Sequence, residues 1–170
     1  MPDHATGVGS AIPARTLEEV TAFLVREAEL LDTWQLDRWL ALYAPDAIYW
    51  VPIEAGQVSG YDSVSHIHDD RRLLETRVRR FNHAMFHAQK PPSRTVRFVA
   101  NVRLAPDPLP GCIAALSSYE VAEFRNNRHR RFVGTCRHDL AAGGDPWLIK
   151  RKKFELIDSE AEQEGISILL

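Results

Sequence analysis

Apolar residues recur at helical spacing in the first part of the chain. Residues 17–32 follow a Thr16–Glu19 pair that has the sequence of a capping box, in which each side chain bonds to the other residue's backbone amide. This pattern predicts an amphipathic helix from residue 17. Its apolar positions fall close to one face: Val20, Phe23, Leu24, Leu30 and Leu31.

Two further helices and one short strand are predicted before residue 90. A helix at 36–43 should end at Pro45–Asp46, and the aromatic and β-branched segment 47–51 favours a strand. Residues 54–62 contain two glycines and are predicted to form a loop. Asp69 or Asp70 is expected to cap a third helix that runs to Arg80. Its apolar positions are Leu74, Val78 and Phe81.

The second half of the chain changes to the two-residue period of β-strands. Five alternating apolar residues after Pro91–Pro92 predict a half-buried strand with all five on its core face. They are Val96, Phe98, Ala100, Val102 and Leu104. Three more strands are predicted at 112–125, 129–141 and 146–157, with a hairpin tip at Asn126–Asn127 and a turn at 143–145.

Helices followed by an antiparallel meander predict an α+β domain. We expect a strongly curved, cone-shaped antiparallel sheet with the N-terminal helices packed on its concave side. Residues 1–14 are expected to form a flexible arm, and residues 15–170 a single domain.

Composition indicates the cellular compartment in which the protein is expected. The 170 residues are 45% hydrophobic and 26% charged, as in an ordinary globular domain. Two cysteines fit a reducing cytosol. The apolar runs are too short to cross a bilayer, and the first residues lack the pattern of a secretory signal, so we expect a cytoplasmic protein without a membrane contact.

Charge is strongly segregated along the chain. Residues 71–153 carry 18 Lys and Arg against 6 Asp and Glu, whereas the rest carries 3 bases and 17 acids. This split indicates either an acidic layer packed over a basic one or a basic face for an acidic partner. Because 17 of the 21 bases are arginine, we favour a protein interface. Nucleic-acid binding is not expected, since the chain has neither a Gly-rich loop nor aromatics interleaved with the basic residues.

The sequence offers two sets of candidate metal ligands. Cys136 and His138 resemble half of the Cys-x-His element of a Rieske cluster, but no second such pair exists. Two histidines and a carboxylate could hold non-haem iron. The candidates are His66, His68, Asp69, Asp70, His83 and His87.

A cone can also enclose a pocket for acid–base chemistry. A carboxylate, a phenol and an imidazole could meet there, from Asp46, Tyr49, Asp70 and His83. This pattern leaves open a stand-alone lyase or isomerase, and also a protein that binds a small apolar ligand without converting it.

Several stretches resemble the small, or beta, subunit of bacterial aromatic-ring-hydroxylating dioxygenases. They are 27–32 with 39–43, 46–52, 69–74 with 77–78, 91–95 through 101–102, and 166–170, which resembles that family's last strand. The resemblance implies a cone fold similar to nuclear transport factor and scytalone dehydratase. It also implies that this chain holds no catalytic, cofactor-binding or metal site.

The resemblance further implies a partner. The large, or alpha, subunit would carry a Rieske [2Fe–2S] cluster and a mononuclear non-haem Fe(II), and electrons would come from NADH through a separate transfer chain. The expected assembly is an alpha3beta3 hexamer with a beta trimer. Bidentate arginines and their neighbours beside the matched stretches are the expected interface or structural residues: Asp69, Asp70, Arg71, Arg72, Arg77, Ser93, Arg94, Arg97, Asn101 and Arg103.

Overall fold

The computed structural model of the protein describes residues 14–83, 89–141, 147–162 and 164–170. These residues form three α-helices and six β-strands. The helices are α1 (Ala14–Asp32), α2 (Leu36–Leu40) and α3 (Arg71–Asn82). The strands are β1 (Tyr43–Pro52), β2 (Ser65–Asp70), β3 (Arg94–Ala105), β4 (Cys112–Arg125), β5 (Arg128–Ala141) and β6 (Leu148–Leu156). Residues 1–13 of the arm predicted at 1–14, His87 and the turn at 143–145 lie outside the described residues, and Ala14 belongs to α1 rather than to the arm.

The helices form where the apolar spacing predicts them, but their ends differ. α1 is already helical at Ala14, so Thr16 lies inside the helix and the predicted capping box does not start it. α2 ends at Leu40 rather than at residue 43, because Tyr43 begins β1. Asp70, one of the two predicted caps, accepts a hydrogen bond from the Leu73 amide at 2.8 Å and starts α3.

The strands pair in one six-stranded sheet with the order β2-β1-β6-β5-β4-β3. β3 through β6 form the predicted antiparallel meander, and Asn126 and Asn127 make its hairpin tip with positive φ angles of 49° and 58°. Two features differ from the prediction. β1 contains Pro45–Asp46, which were expected to precede it, and it pairs in parallel with β6. β2 was not predicted, because its sequence, Ser-His-Ile-His-Asp-Asp, is mostly polar.

A β-bulge divides β3 into two halves. Odd-numbered side chains point inward before the bulge, and even-numbered side chains point inward after it. Ala100 pairs with Ser118 and Arg103 with Leu116, so residues 101 and 102 lie opposite one residue of β4. Asn101 takes the left-handed conformation, with φ of 53°. The prediction that five apolar residues share the core face is therefore wrong for the first half: Val96 and Phe98 are 54% and 55% exposed.

The core lies between the sheet and the helices. It contains Val20, Leu24 and Leu30 of α1, Trp39 of α2 and the inward residues of all strands except β3. The last three residues, Ile168, Leu169 and Leu170, are buried in it. The resemblance implies a last strand at this end of the chain, but these residues are irregular. Among the described residues, no helix is both long and apolar enough to span a membrane.

Candidate functional site

A carboxylate is buried at the centre of the cone, where a pocket was considered. Glu27 of α1 accepts hydrogen bonds from Trp39 Nε1 at 3.1 Å, from Lys152 Nζ at 2.9 Å and, at 3.4 Å, from the Tyr43 hydroxyl. His138 Nε2 lies 2.9 Å from its other oxygen. Glu27, His138 and Lys152 are each at most 1% exposed, so bulk solvent does not reach this network.

The charges of this network hold one another in their ionised forms. Burial by itself would raise the pKa of Glu27, but Lys152 and His138 hold it well below its usual range. Burial would lower the pKa of His138, yet Cys136 and Glu27 outweigh this effect and raise it to about 9. The pKa of Lys152 is likewise raised, because the Glu27 carboxylate outweighs the cost of burial.

Tyrosines surround the network without adding an acid or base near neutral pH. Burial raises the pKa of Tyr43 and Tyr49, and it raises that of Tyr119 to about 12. The Lys152 ammonium lies 4.9 Å from the centre of the Tyr119 ring. Within the described residues, the centre of the interior is therefore occupied by buried, mutually paired side chains.

The four residues considered for acid–base chemistry lie in different surroundings. Tyr49 is fully buried, and its hydroxyl bonds to the backbone of Leu170. Asp46 is 68% exposed and pairs with Lys150. Asp70 caps α3, and His83 follows the C-terminal end of the same helix. The structure does not gather them around one cavity.

The candidate metal ligands are also separated by their contacts. His66 Nε2 lies 2.8 Å from the Ser159 carbonyl oxygen, and His68 packs edge-on against Trp50 and Tyr61. The Asp69 carboxylate is taken by Arg77. No three His, Cys, Asp or Glu side chains of the described residues form a group that could hold a metal ion. These residues thus do not fit a Rieske cluster or a mononuclear iron.

Six of the ten expected interface or structural residues form an ion pair, a helix cap or a buried hydrogen bond within the chain. Arg77 donates to both oxygens of Asp69, at 2.6 and 3.1 Å. Asp70 caps α3, and Arg71 bonds to Glu75 and to the Leu40 and Tyr43 carbonyls. Ser93 is buried and bonds to Glu123. The Arg97 guanidinium is buried between Asp32 and the Leu169 carbonyl.

The other four lie at the surface. Arg72 is exposed on α3. Arg94 lies 4.8 Å above the centre of the Phe124 ring. Asn101 bonds to Ser118 at 3.0 Å, and Arg103 makes a 3.4 Å bond to the Asn101 carbonyl. These four residues and Asp70 are exposed, so their side chains are accessible to another molecule.

Sequence reasoning did not select Glu27 or Lys152, although a signal was present for each. Glu27 lies three residues after Leu24 and three before Leu30, within the apolar face of α1. Lys152 alternates with Phe154 and Leu156 on the inward face of β6. A charged residue in register with apolar neighbours indicates a buried, paired charge.

Two exposed surfaces lie at opposite edges of the sheet. The outer strip is the outward face of the β3–β4 edge, with Val96, Phe98, Ala122 and Phe124 between Arg94 and Arg103. The acidic lobe comprises residues 53–64, which connect β1 to β2, and residues 157–162, which follow β6. A hydrogen bond from the Ala55 amide to Glu160 joins the two segments of the lobe, and His66 of β2 bonds to the Ser159 carbonyl of the second segment.

The fold assigns this protein to a structural class. An NTF2-like protein with a cystatin-like fold from Novosphingobium aromaticivorans superposes with a TM-score of 0.57 at 15% identity, covering 85% of this chain and 83% of that one. This likeness shows the fold alone. The predicted cone-shaped α+β class is confirmed.

The family follows from closer relatives. The model of the ring hydroxylating beta subunit family matches residues 26–163. The small oxygenase component of the p-cumate 2,3-dioxygenase system of Pseudomonas putida is 44% identical over 158 residues, which is 91% of this chain and 87% of the relative. The beta subunit of benzoate 1,2-dioxygenase from Burkholderia mallei superposes with a TM-score of 0.70 at 26% identity, covering 92% of this chain and 99% of that one. The chain therefore belongs to the ring-hydroxylating beta subunits, as the resemblance indicated.

Proposed function

We propose that this chain is the non-catalytic assembly subunit of a cytoplasmic aromatic-ring dioxygenase. The observation that supports this most directly is the interior of the cone. Among the described residues, its centre holds the Glu27 network, whose charged side chains are at most 1% exposed. Charges that are paired and buried in this way support a structural role for the interior and leave the surfaces to act on a partner.

The partner in this proposal is a large alpha subunit, and the assembly is an alpha3beta3 hexamer with a beta trimer. That partner carries the Rieske [2Fe–2S] cluster and the mononuclear Fe(II), and it receives electrons from NADH through separate proteins. The bound metals supply the activation of O₂. The residues of this chain support and orient the partner and take no part in the chemical step.

The relative from the p-cumate system suggests the first compound to test. p-Cumate is an aromatic carboxylate, and the two small subunits share 44% of their residues. We therefore propose dihydroxylation of an aromatic ring by the complete system and take p-cumate as the first candidate substrate.

Co-expression tests this function. The chain is produced with and without its large partner, and size, iron content and product formation are measured. We expect a complex with a larger, iron-containing polypeptide, and turnover only when that polypeptide and its electron donors are present. Conversion of an aromatic compound by this chain alone, or failure to bind the larger polypeptide, would contradict the proposal.

Arg94 gives a more local test of assembly. It is exposed and has no carboxylate within ion-pair distance among the described residues, so it is available to a neighbouring subunit. Arg94→Ala should lower the yield of hexamer, whereas Arg79→Ala, on an exposed position of α3, should not. Unchanged assembly and melting of the Arg94 variant would remove this residue from the interface.

A further inference from the structure

The outer strip and the acidic lobe are complementary in both charge and surface character. The strip exposes apolar side chains beside Arg94 and Arg103, and within the described part of the chain neither arginine pairs with a carboxylate. The lobe exposes apolar side chains beside Glu54 and Asp62, which likewise make no ion pair among the described residues. The two surfaces therefore carry opposite charge, and both expose apolar side chains.

The acidic lobe is built to remain exposed. Its two segments, 53–64 and 157–162, contain no Lys or Arg. Its apolar side chains extend into solvent rather than into the core: Val58 is 93% exposed, Tyr61 78%, Val64 73% and Ile157 79%. The Gly56 amide donates to Glu155 at 2.8 Å, which holds the loop against β6. A cluster of exposed apolar residues on a loop fixed at several points is typical of a protein contact.

The outer strip has the shape to receive such a lobe. Arg97, which follows the exposed Val96 in the chain, points inward and pairs with Asp32. This ion pair fixes the orientation of the first half of β3. A groove of about 410 Å³ lies on the strip between Arg94, Val96, Phe124 and His129. A second groove, of about 500 Å³, runs beside Phe98 and Val25 between β3 and α1. Exposed aromatic rings such as Tyr61 are common anchors in grooves of this kind.

We propose that the acidic lobe of one copy docks on the outer strip of a second copy of this chain. The inference rests on the proposed assembly function and names the surfaces that build its beta trimer. Tyr61 and Val58 would lie against Val96 and Phe98, with the carboxylates of Glu54 and Asp62 facing Arg94 and Arg103.

Charge and position determine the symmetry of this contact. A strip packed on a second strip would bring arginines together, and a lobe packed on a second lobe would bring carboxylates together. The lobe is attached to β1, β2 and β6, whereas the strip lies on β3 and β4, with β5 between them, so one molecule does not place its own lobe on its own strip. The contact must therefore be head-to-tail, which produces closed rings when the rotation allows closure.

Cross-linking between copies tests the geometry. In a Cys112→Ser background, Val58→Cys and Val96→Cys are prepared as separate full-length proteins and treated with a short bismaleimide. We expect covalent dimers in the mixture of the two proteins and in neither alone. A chain carrying both substitutions should form a ladder that ends at trimer. Leu73→Cys, at an exposed site on α3, replaces Val96→Cys in the control mixture and should give no product.

Charge exchange tests the electrostatics independently. Asp62→Arg and Arg94→Glu should each raise the dissociation constant of self-association by about tenfold. The double variant should restore it, since the introduced arginine would then face the introduced glutamate of the next copy. Arg79→Glu provides the matched control. Sedimentation of the full chain measures all four constants.

Three results would overturn the inference. These are cross-linking of the Val96→Cys protein with itself, cross-linking of Val96→Cys to the large polypeptide in the complete complex, and a trimer in which the mixed pair gives no product. Each result leaves the co-purification with the large polypeptide unaffected, so failure here is distinct from failure of the proposed function.

Discussion

Glu27 is a buried carboxylate whose desolvation is offset by partners from four elements. Removing a charge from water is expensive, and the attraction of buried partners outweighs that cost only when the geometry is good and the remaining hydrogen bonds are made. Trp39, Tyr43, His138 and Lys152 supply these partners from α2, β1, β5 and β6, and only His138 Nδ1 is left without a hydrogen bond among the described residues of the network. The network therefore ties the first helix to the far strands of the sheet.

Replacing Glu27 by Gln should destabilise the protein strongly. The substitution leaves Lys152 and His138 buried without a counter-charge, and loss of one member of a buried pair costs about 3–5 kcal/mol. Urea unfolding followed by circular dichroism measures the loss. Glu29→Gln, which affects only a pair on the surface of the same helix, should change the free energy of unfolding by less than about 0.5 kcal/mol. Equal stability of the two variants would show that the network contributes little.

Stability should depend on pH through the same residues. Because the pKa of His138 rises from 6.5 to about 9 on folding, its contribution is complete below pH 6.5 and is lost as the pH rises through 9. Because the pKa of Glu27 is lowered from 4.5, its contribution is present above pH 4.5 and is lost as the pH falls further. We expect maximal stability between these limits.

His138→Gln separates this effect from general alkaline denaturation. Gln can still donate to Glu27 but does not titrate, so the decline in unfolding free energy between pH 6.5 and about 9 should become shallower in the variant. Urea midpoints across that range measure the slope. Identical slopes in the two proteins would assign the decline to other groups.

At the scale of elements, the backbones of β5 and β6 lie so close together at Gly134 that they limit the size of the residue at this position. Gly134 pairs with Leu156 of β6, and a Cβ atom at Gly134 would lie 1.9 Å from the Glu155 carbonyl oxygen. Since that contact is with backbone, no side-chain rotation relieves it. The two strands can accommodate a larger residue only by separating.

Gly134→Ala should therefore weaken the sheet. We expect a loss of at least about 1–3 kcal/mol, the usual cost of overpacking, together with faster amide exchange in β6. Gly165→Ala is the control, because no atom lies within 4 Å of the Cβ position there and the backbone is not left-handed. If both variants have the same urea midpoint, the contact is relieved in some other way.

The elements also show how far the sequence determines this fold. Local signals predicted α1, α3, the β4–β5 hairpin with its Asn126–Asn127 turn, and a cap at Asp69 or Asp70, of which Asp70 is the cap, since each depends on neighbouring residues. The resemblance gave the family. β2 and the parallel β1–β6 pairing escaped prediction, because they depend on residues about 20 to 100 positions apart.

The candidate site was less predictable than the fold. Alternation along β3 pointed all its apolar residues inward, but the buried Asp32–Arg97 pair and the bulge at Asn101 override that pattern. As a result, Val96 and Phe98 are exposed and form part of the outer strip. Glu27 and Lys152 lie on faces that sequence periodicity marks as buried, and their partnership becomes evident only when α1 packs against β6.

For the whole molecule, the segregated charge has a structural explanation. Acidic residues from the two ends of the sequence pack against basic residues of its middle: Asp32 pairs with Arg97, Glu27 with Lys152, and Glu164 with Arg128. The acidic ends thus cover part of the basic middle, which was the first of the two alternatives. The acidic lobe and the arginines of the outer strip remain outside this arrangement.

Ionic strength should affect the exposed charges of the acidic lobe and the outer strip more than the ion pairs within the chain. Self-association of the full chain should weaken as sodium chloride rises from about 0.05 to 0.5 M, because exposed charges are screened over a few ångströms at high salt. The urea midpoint, which reports the buried pairs, should change much less. Sedimentation and unfolding in the same buffers measure both, and association that is insensitive to salt would show that apolar contact alone holds the copies together.

The bulge at Asn101 also has an evolutionary consequence. Arg97 and Val102 are five positions apart, an odd number, yet both point inward, because the bulge supplies one extra residue between them. Loss of the Asn101 codon would leave them four positions apart, so both would still point inward in a regular strand. The strand could therefore absorb this one in-frame deletion without moving any remaining side chain from one face of the sheet to the other.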